Sequence, residues 1–338
     1  MTKLPDRIHS TASLIDQAHE SRKENPRPHL GASQIGHSCE RWLWLSFRWA
    51  VIPSFPGRVL RIFRRGHHEE NWIVQDLRAI GVDIHSTGGS QARVNFDCHF
   101  SGSIDGIIES GLPEAPNTKH VAEFKTHSKK SFDDVVKKGV EKSKPVHYAQ
   151  MQVYMAGLKL DRAFYLAICK DNDQIYTERV KYDKELAKKY IDKGKRIPLE
   201  DRLPAPISTD STWFECRFCD AHDFCHVGKT TKEVNCRTCA HSTALKDSTW
   251  RCELFEADGI PYEYQLKGCQ SHVLLPDLVP WQTEETEDGK EVFYIIEGRK
   301  VLNGPNGYSS QEILINPSAC GLDDIDTIKK EFDGKIIG

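Results

Sequence analysis

The 338-residue sequence contains no run of about 18 apolar residues, so no helical membrane span is expected. Its first residues, MTKLPDRIHSTASLIDQ, lack the apolar core of a secretory signal. A cytoplasmic location is expected, or the host cytoplasm if the source is viral, where thiols stay reduced. The chain also lacks a large charge excess: 46 Lys and Arg stand against 49 Asp and Glu, for a formal net charge of −3. That balance does not advertise a polyanion partner, and any basic surface must be local. With 38% hydrophobic and 28% charged residues, a globular chain with an ample core is expected.

Against these absences stand eleven cysteines, which reducing surroundings would leave without disulfides. Metal is the leading explanation. Cys216, Cys219 and Cys225 lie close together but lack a fourth ligand within their segment. A second set follows, Cys236-x2-Cys239-x12-Cys252-x16-Cys269. Two pairs sharing one metal would leave four cysteines without a role. Splitting them, with Cys39 joining the first set, gives two four-thiolate sites and leaves Cys98, Cys169 and Cys320 as ordinary thiols. The second set suits tetrahedral Zn²⁺, with His241 and His272 as alternates. For the first set, zinc bound by three cysteines and either His222 or His226 is one reading.

The chemistry concentrates in Ser101–Thr126. Two strands are expected, near His99–Glu109 and at His120–Thr126, with turn residues Gly111, Pro113, Pro116 and Asn117 between them. Period two puts Glu123 and Lys125 on one face, and Asp105 can lie beside them on the neighbouring strand. Two carboxylates and an ammonium at one point make a site for a hard cation. Glu-x-Lys alone is commonly a surface salt bridge. The context Gly102-Ser-Ile-Asp105-Gly, a turn, then Ala122-Glu123-Phe124-Lys125 is far more specific.

That context resembles motifs two and three of the PD-(D/E)XK nuclease superfamily, with Ile104 where a proline usually precedes the aspartate. Gly66 followed by Glu70 is similar to motif one, inside an expected helix over Phe63–Leu77 with Trp72, Ile73 and Leu77 inward. Pro145 is favourable at a first helical turn. In the helix it opens, Gln150 and Tyr154 share a face and resemble the Gln-x-x-x-Tyr motif of the RecB-like branch. The resemblance implies a central mixed β-sheet flanked by helices. It implies Mg²⁺ or Mn²⁺ held by Glu70, Asp105, Glu123 and the Phe124 carbonyl, with Lys125 activating water, and Gln150 and Tyr154 beside them. Cys39, in a Ser-x5-Cys-x-Arg-aromatic pattern starting at Ser33, resembles the first ligand segment of the iron–sulfur members, the CRISPR-associated and AddB-type exonucleases. With Cys216, Cys219 and Cys225 it would then hold a [4Fe–4S] cluster. Ser33 is read as the N-cap of the helix after it.

The stretch Arg41–Arg65 holds six arginines and no acid, interleaved with Trp and Phe. It is the expected phosphate-tracking surface, with Arg41, Arg61, Arg64 and Arg65 as its contacts. Lys129–Lys144 is a lysine-rich segment expected to hold a short helix. The expected organisation is an N-terminal helix and extension (1–24), a RecB-like nuclease unit (25–230) and a C-terminal zinc-binding module with a tail (231–338). Short strands are expected in that module at Ser248–Phe255 and Tyr262–Lys267. The expected function is metal-dependent DNA hydrolysis, by an exonuclease acting on single strands or duplex ends in recombination or repair, with a possible protein partner of that pathway. The alternative is a DNA-binding or assembly module with a degenerate nuclease site, against which the intact Asp105, Glu123, Lys125, Gln150 and Tyr154 set argues.

Overall fold

The computed structural model describes residues 10–22 and 24–337; residues 1–9 of the expected N-terminal extension lie outside them. In chain order, α1 is Thr11–Glu20, β1 Leu30–Gly31, α2 Glu40–Phe47, α3 Gly57–Ala79, β2 Asp83–His85, β3 Arg93–Asn95, β4 Phe100–Ser103, β5 Gly106–Ser110 and β6 His120–His127. Next come α4 Lys129–Ser143, α5 Pro145–Leu158, β7 Arg162–Cys169, β8 Ile175–Lys181 and α6 Lys184–Arg196. The remainder holds α7 Phe214–Arg217, β9 Ser242–Ala244, β10 Trp250–Cys252, α8 Tyr262–Gln265, β11 Gln282–Glu285, β12 Val292–Ile296, β13 Arg299–Asn303, α9 Ser310–Ile315 and α10 Asp323–Phe332. Among the described residues no helix is long and apolar enough to cross a membrane.

The organising sheet is mixed, in the order β2-β5-β6-β7-β8, with β6 and β7 parallel and the other neighbours antiparallel. Both faces of its centre are covered, which is why β7 reads as a nearly continuous apolar run and why β6, despite Glu123, Lys125 and two histidines, is buried along most of its length. The even-numbered face, with Ala122, Phe124, Phe164, Leu166 and Ile168, packs on Ile73, Val74 and Leu77 of α3. The odd-numbered face, with Val121, Ala163 and Tyr165, packs on α4 and α5 through Phe132, Val135, Met151 and Tyr154. This second core does not stop at residue 230: Ala244, Trp250 and Leu278 belong to it. Arg237 is the link. Its buried guanidinium donates to the Phe47 and Pro28 carbonyls at 2.9 Å each and lies 3.7 Å from the Trp49 ring and 4.8 Å from the Trp250 ring. With no acidic partner among the described residues, it is satisfied by carbonyl oxygens, the Gln265 Oε1 included, and by ring faces. The strands β11, β12 and β13 and helix α9 close a third core around Tyr294, Val301 and Ile313.

Several local expectations are corrected. The single strand expected at His99–Glu109 is two, β4 and β5, which enter different sheets and break at Ile104–Asp105. Ser33 lies in a one-turn 3-10 segment, and Cys39 is the N-cap residue of α2. Trp72 is 54% exposed, because it lies about 200° round α3 from Glu70 while Ile73, Val74 and Leu77 turn inward. Lys129–Ser143 holds two helical stretches that meet at a kink at Gly139 (φ 76°). Tyr262–Gln265 is a helical turn rather than a strand.

Candidate active site and metal centres

The break between β4 and β5 makes the site. Asp105 occupies it, and its Oδ2 accepts the Phe124 backbone N–H at 2.8 Å. Because Gly106 pairs with Ala122, that bond delivers the aspartate to the middle of β6 beside Glu123. Lys125, two residues on and on the Glu123 face, lies against Glu123 Oε1 as an ion pair. Its Nζ is 3.8 Å from Asp105 Oδ2 and donates to the Phe124 carbonyl at 3.1 Å. Glu123 is fully buried, and its Oε2 has no partner among the described residues. Burial pushes the Glu123 carboxyl above its ordinary pKa, and the Asp105 charge adds to this. Burial also works against the Lys125 charge, but Glu123 and Asp105 outweigh it and hold its pKa above the ordinary value. Glu70, on α3, lies near enough to feel the Asp105 charge: burial raises its carboxyl to about 7, with Asp105 contributing, although among the described residues the three carboxylates are not drawn into a closed metal-binding group.

Gln150 and Tyr154 sit behind the site rather than in its opening. Tyr154 is 1% exposed and its hydroxyl donates to the Ser103 carbonyl at 2.7 Å, two residues before Asp105. Gln150 Nε2 donates to that hydroxyl at 3.3 Å. Gly102 makes the approach possible, since a Cβ there would stand 2.7 Å from the Tyr154 hydroxyl and 2.8 Å from the Ala32 Cβ. The pair therefore anchors the strand end that carries Asp105.

A hydrogen-bonded cluster on the same sheet face escaped the sequence reading. The Tyr165 hydroxyl lies 2.8 Å from His127 Nε2 and 3.1 Å from His147 Nδ1, and Ser131 Oγ lies 3.1 Å from His127 Nδ1. Burial holds both imidazoles neutral, His127 down to about 4 and His147 to about 2, with Lys125 adding to the effect. Period two placed His127 on the Glu123–Lys125 face. The partner Tyr165 follows only from the β6–β7 register, which sets it opposite Glu123.

The cysteines assemble in two places. One cavity is lined by Cys39, Cys216, Cys219 and Cys225, with His222 and His226 on its wall. A hydrogen bond of 2.8 Å from Ser38 Oγ to Glu215 Oε1 ties its two chain segments together. Burial pushes the Cys219 thiol up to about 11, and Cys39 and Cys225 add to the shift. A second cavity is lined by Cys236, Cys239, Cys252 and Cys269. Burial raises Cys236 to about 11 and Cys239 to about 12, with the other thiols of the set contributing. The histidine alternates there are engaged. His272 has Nδ1 2.7 Å from Ser310 Oγ and Nε2 3.0 Å from the Asn235 carbonyl, and His241 Nε2 lies 3.0 Å from the Lys290 carbonyl. Among the described residues no three His, Cys, Asp or Glu side chains are drawn together as a closed metal-binding group.

No family model matches the chain, and no curated protein matches it. Among solved structures it is similar to the alkaline exonuclease LHK-Exo of Laribacter hongkongensis, at a TM-score of 0.35 and 16% identity over 54% of this chain and 89% of that one. The complex of LHK-Exo with dAMP overlaps to the same extent with a TM-score of 0.38. A protein designated SSO0001 has a TM-score of 0.38 and 14% identity, covering 63% of this chain and 92% of that one. With every TM-score below one half, the chemistry rests on the residues themselves.

The arginine surface is narrower than its spacing implied. Arg41 Nε donates to the Pro204 carbonyl at 2.7 Å, and Arg48 is buried against Trp44 and Trp250. Arg61 is ion-paired with Asp16 of α1. Arg58, Arg64 and Arg65 are exposed, with Arg65 Nη2 also donating to the Lys170 carbonyl at 3.1 Å.

Proposed function

We propose that this chain is a divalent-metal-dependent DNA nuclease of the PD-(D/E)XK type and RecB-like branch, an exonuclease acting on single strands or duplex ends in recombination or repair. The observation that carries the reading is the convergence of Asp105, Glu123 and Lys125 at a sheet break, with Glu70 of α3 near enough to feel the Asp105 charge. The donor set fits a hard cation: it is all oxygen, and the unpartnered buried Glu123 Oε2 is costly to leave unfilled. Asp105, Glu123, Glu70 and the Phe124 carbonyl would hold Mg²⁺ or Mn²⁺. Bound there, the cation supplies charge stabilisation at a phosphoryl oxygen and a water of lowered pKa.

The chain's own part is positioning. Lys125 Nζ stays protonated beside two carboxylates and offers its hydrogens to an attacking oxygen or to charge developing on the phosphoryl group. Tyr154 and Gln150 hold the strand that carries Asp105, and the Phe124 N–H orients its carboxylate. The neutral His127–Tyr165–His147 cluster packs the same face without adding charge.

The thiol sets fit the two remaining groups by donor chemistry. Four mutually disfavoured thiols are stable as thiolates only around a cation. Cys39, Cys216, Cys219 and Cys225 would hold [4Fe–4S], closing a long loop whose ends, Cys39 and Cys216, are 177 positions apart in the chain. Cys236, Cys239, Cys252 and Cys269 would hold Zn²⁺, since both histidine alternates are engaged. On this reading residues 25–230 are the nuclease unit and 231–338 the zinc-binding module and tail, joined through the Arg237 link.

The test is digestion of single- and double-stranded DNA labelled at the 5′ or 3′ end, with Mg²⁺ or Mn²⁺ against a chelator. Metal-dependent release of end label from wild type, absent in Asp105→Ala, is expected. DNA left intact by metal-loaded protein with both thiol sites filled would refute the reading.

A further inference from the structure

Helix α3 is 23 residues long, about 34 Å, and only its second half has a sheet to lie on. Phe63, His67, Glu70, Val74 and Leu77 occupy positions i, i+4, i+7, i+11 and i+14, one stripe along the helix. Toward the C-terminus that stripe is closed, with Val74 6% and Leu77 5% exposed against the even-numbered sheet face. Toward the N-terminus it runs past Glu70 and opens. Phe63 is 44% exposed and Phe55, which meets it edge to face at 5.0 Å, is 38% exposed. A large aromatic pair continuing a buried stripe into solvent calls for an occupant.

The charge around it says which. Gly57–His68 contains Arg58, Arg61, Arg64 and Arg65 and no carboxylate of its own, and of the four only Arg61 is ion-paired among the described residues. Helix α1 packs on this half of α3, with Asp16 against Arg61 and Glu20 Oε1 accepting the Gly57 N–H. Arg65 also donates to the Lys170 carbonyl, which leaves Arg58 and Arg64 as the exposed guanidinium groups nearest the half-exposed Phe63 ring. Exposed guanidinium groups beside a ring face fit a polyanion that also carries flat apolar faces. We propose that Phe63, buttressed by Phe55, stacks an unpaired nucleobase of the substrate strand while Arg64 holds its phosphate. This rests on the nuclease reading and deepens it: the ligand is single-stranded DNA or a frayed end, because paired bases hide their faces. Phe63 lies seven residues from Glu70, about 10 Å along the helix, and so no more than about three stacked nucleotide steps from the scissile bond.

Equilibrium binding of a labelled single-stranded oligonucleotide to the full chain, without Mg²⁺ or Mn²⁺, tests it against an abasic oligonucleotide of equal length and charge. Phe63→Ala is expected to weaken binding of the intact strand about 5- to 150-fold, the equivalent of about 1–3 kcal/mol for one stacked base, and to leave abasic binding unchanged. Phe63→Trp should retain wild-type affinity and Phe63→Leu should not. Phe63 is exposed, so none of these variants is expected to disturb folding. Equal loss on both strands, no loss on either, or full rescue by leucine would overturn the proposal. Each of those outcomes leaves metal-dependent cleavage by wild type, and so the nuclease reading, to stand or fall separately.

Discussion

Replacing Tyr154 with phenylalanine removes one oxygen and nothing else, which makes it a sharp probe of how Asp105 is held. That hydroxyl is 2.7 Å from the Ser103 carbonyl and receives the Gln150 amide at 3.3 Å, in surroundings where the tyrosine is 1% exposed. Burial raises its pKa, so it remains a donor throughout the physiological range. Its loss leaves a buried amide and a strand-end carbonyl each short of a partner, at a cost of about 1–3 kcal/mol. Thermal or denaturant unfolding should show that loss as a lower midpoint at unchanged m. The second effect is local. Ser103 is two residues from Asp105, and a displacement approaching 1 Å at a reacting group costs up to about 100-fold in rate. Cleavage should therefore fall by about 10- to 100-fold in kcat with the single-strand Kd little changed. Gln150→Ala, which removes only the weaker bond, should show a smaller effect in the same direction. If Tyr154→Phe matched wild type in both unfolding and cleavage, the tyrosine would be a packing residue and the anchoring argument would fail.

Asp105→Ala and Lys125→Ala should each abolish metal-dependent cleavage while keeping DNA affinity within a few-fold; wild-type rates in either would sink the site assignment. Arg58→Ala with Arg64→Ala should lower the slope of log affinity against log salt by about 1.4 for a single strand, two released counterions at about 0.7 each, whereas Arg61→Ala should change it less because Asp16 already pairs with that group. Without added divalent metal, Glu70→Gln should gain stability relative to wild type as pH rises from about 4.5 toward about 7: the folded carboxyl, raised by burial to about 7, still holds a proton that the unfolded chain has lost; a difference independent of pH in melting experiments would contradict this. Anaerobically purified protein should contain about four irons and one zinc per chain, and Cys39→Ala should lose the iron, its brown colour and stability while keeping the zinc; two zincs with no iron or sulfide would remove the cluster assignment.

Local chemistry was legible in the chain wherever a feature depends on neighbours a few residues apart. The alternation of Glu123 and Lys125, the proline opening α5, the four-residue spacing of Gln150 and Tyr154 and the grouping of the cysteines all follow from strand and helix periods. The tertiary structure decided what depends on partners far along the chain. Asp105 acts from a break between two sheets because β4 and β5 pair with different strands, which no local period reveals. Six arginines in a row of 25 residues read alike in sequence, yet Arg48 is buried among Trp44 and Trp250, Arg41 serves the Pro204 carbonyl, and Arg61 answers Asp16. Which cationic side chains remain for a ligand is set by what the fold packs against them. Tyr165 joined His127 and His147 only through the strand register. Trp72 was placed on the wrong side of α3 because hydrophobicity suggested burial, while the direction of Ile73, Val74 and Leu77 onto the sheet left it outside.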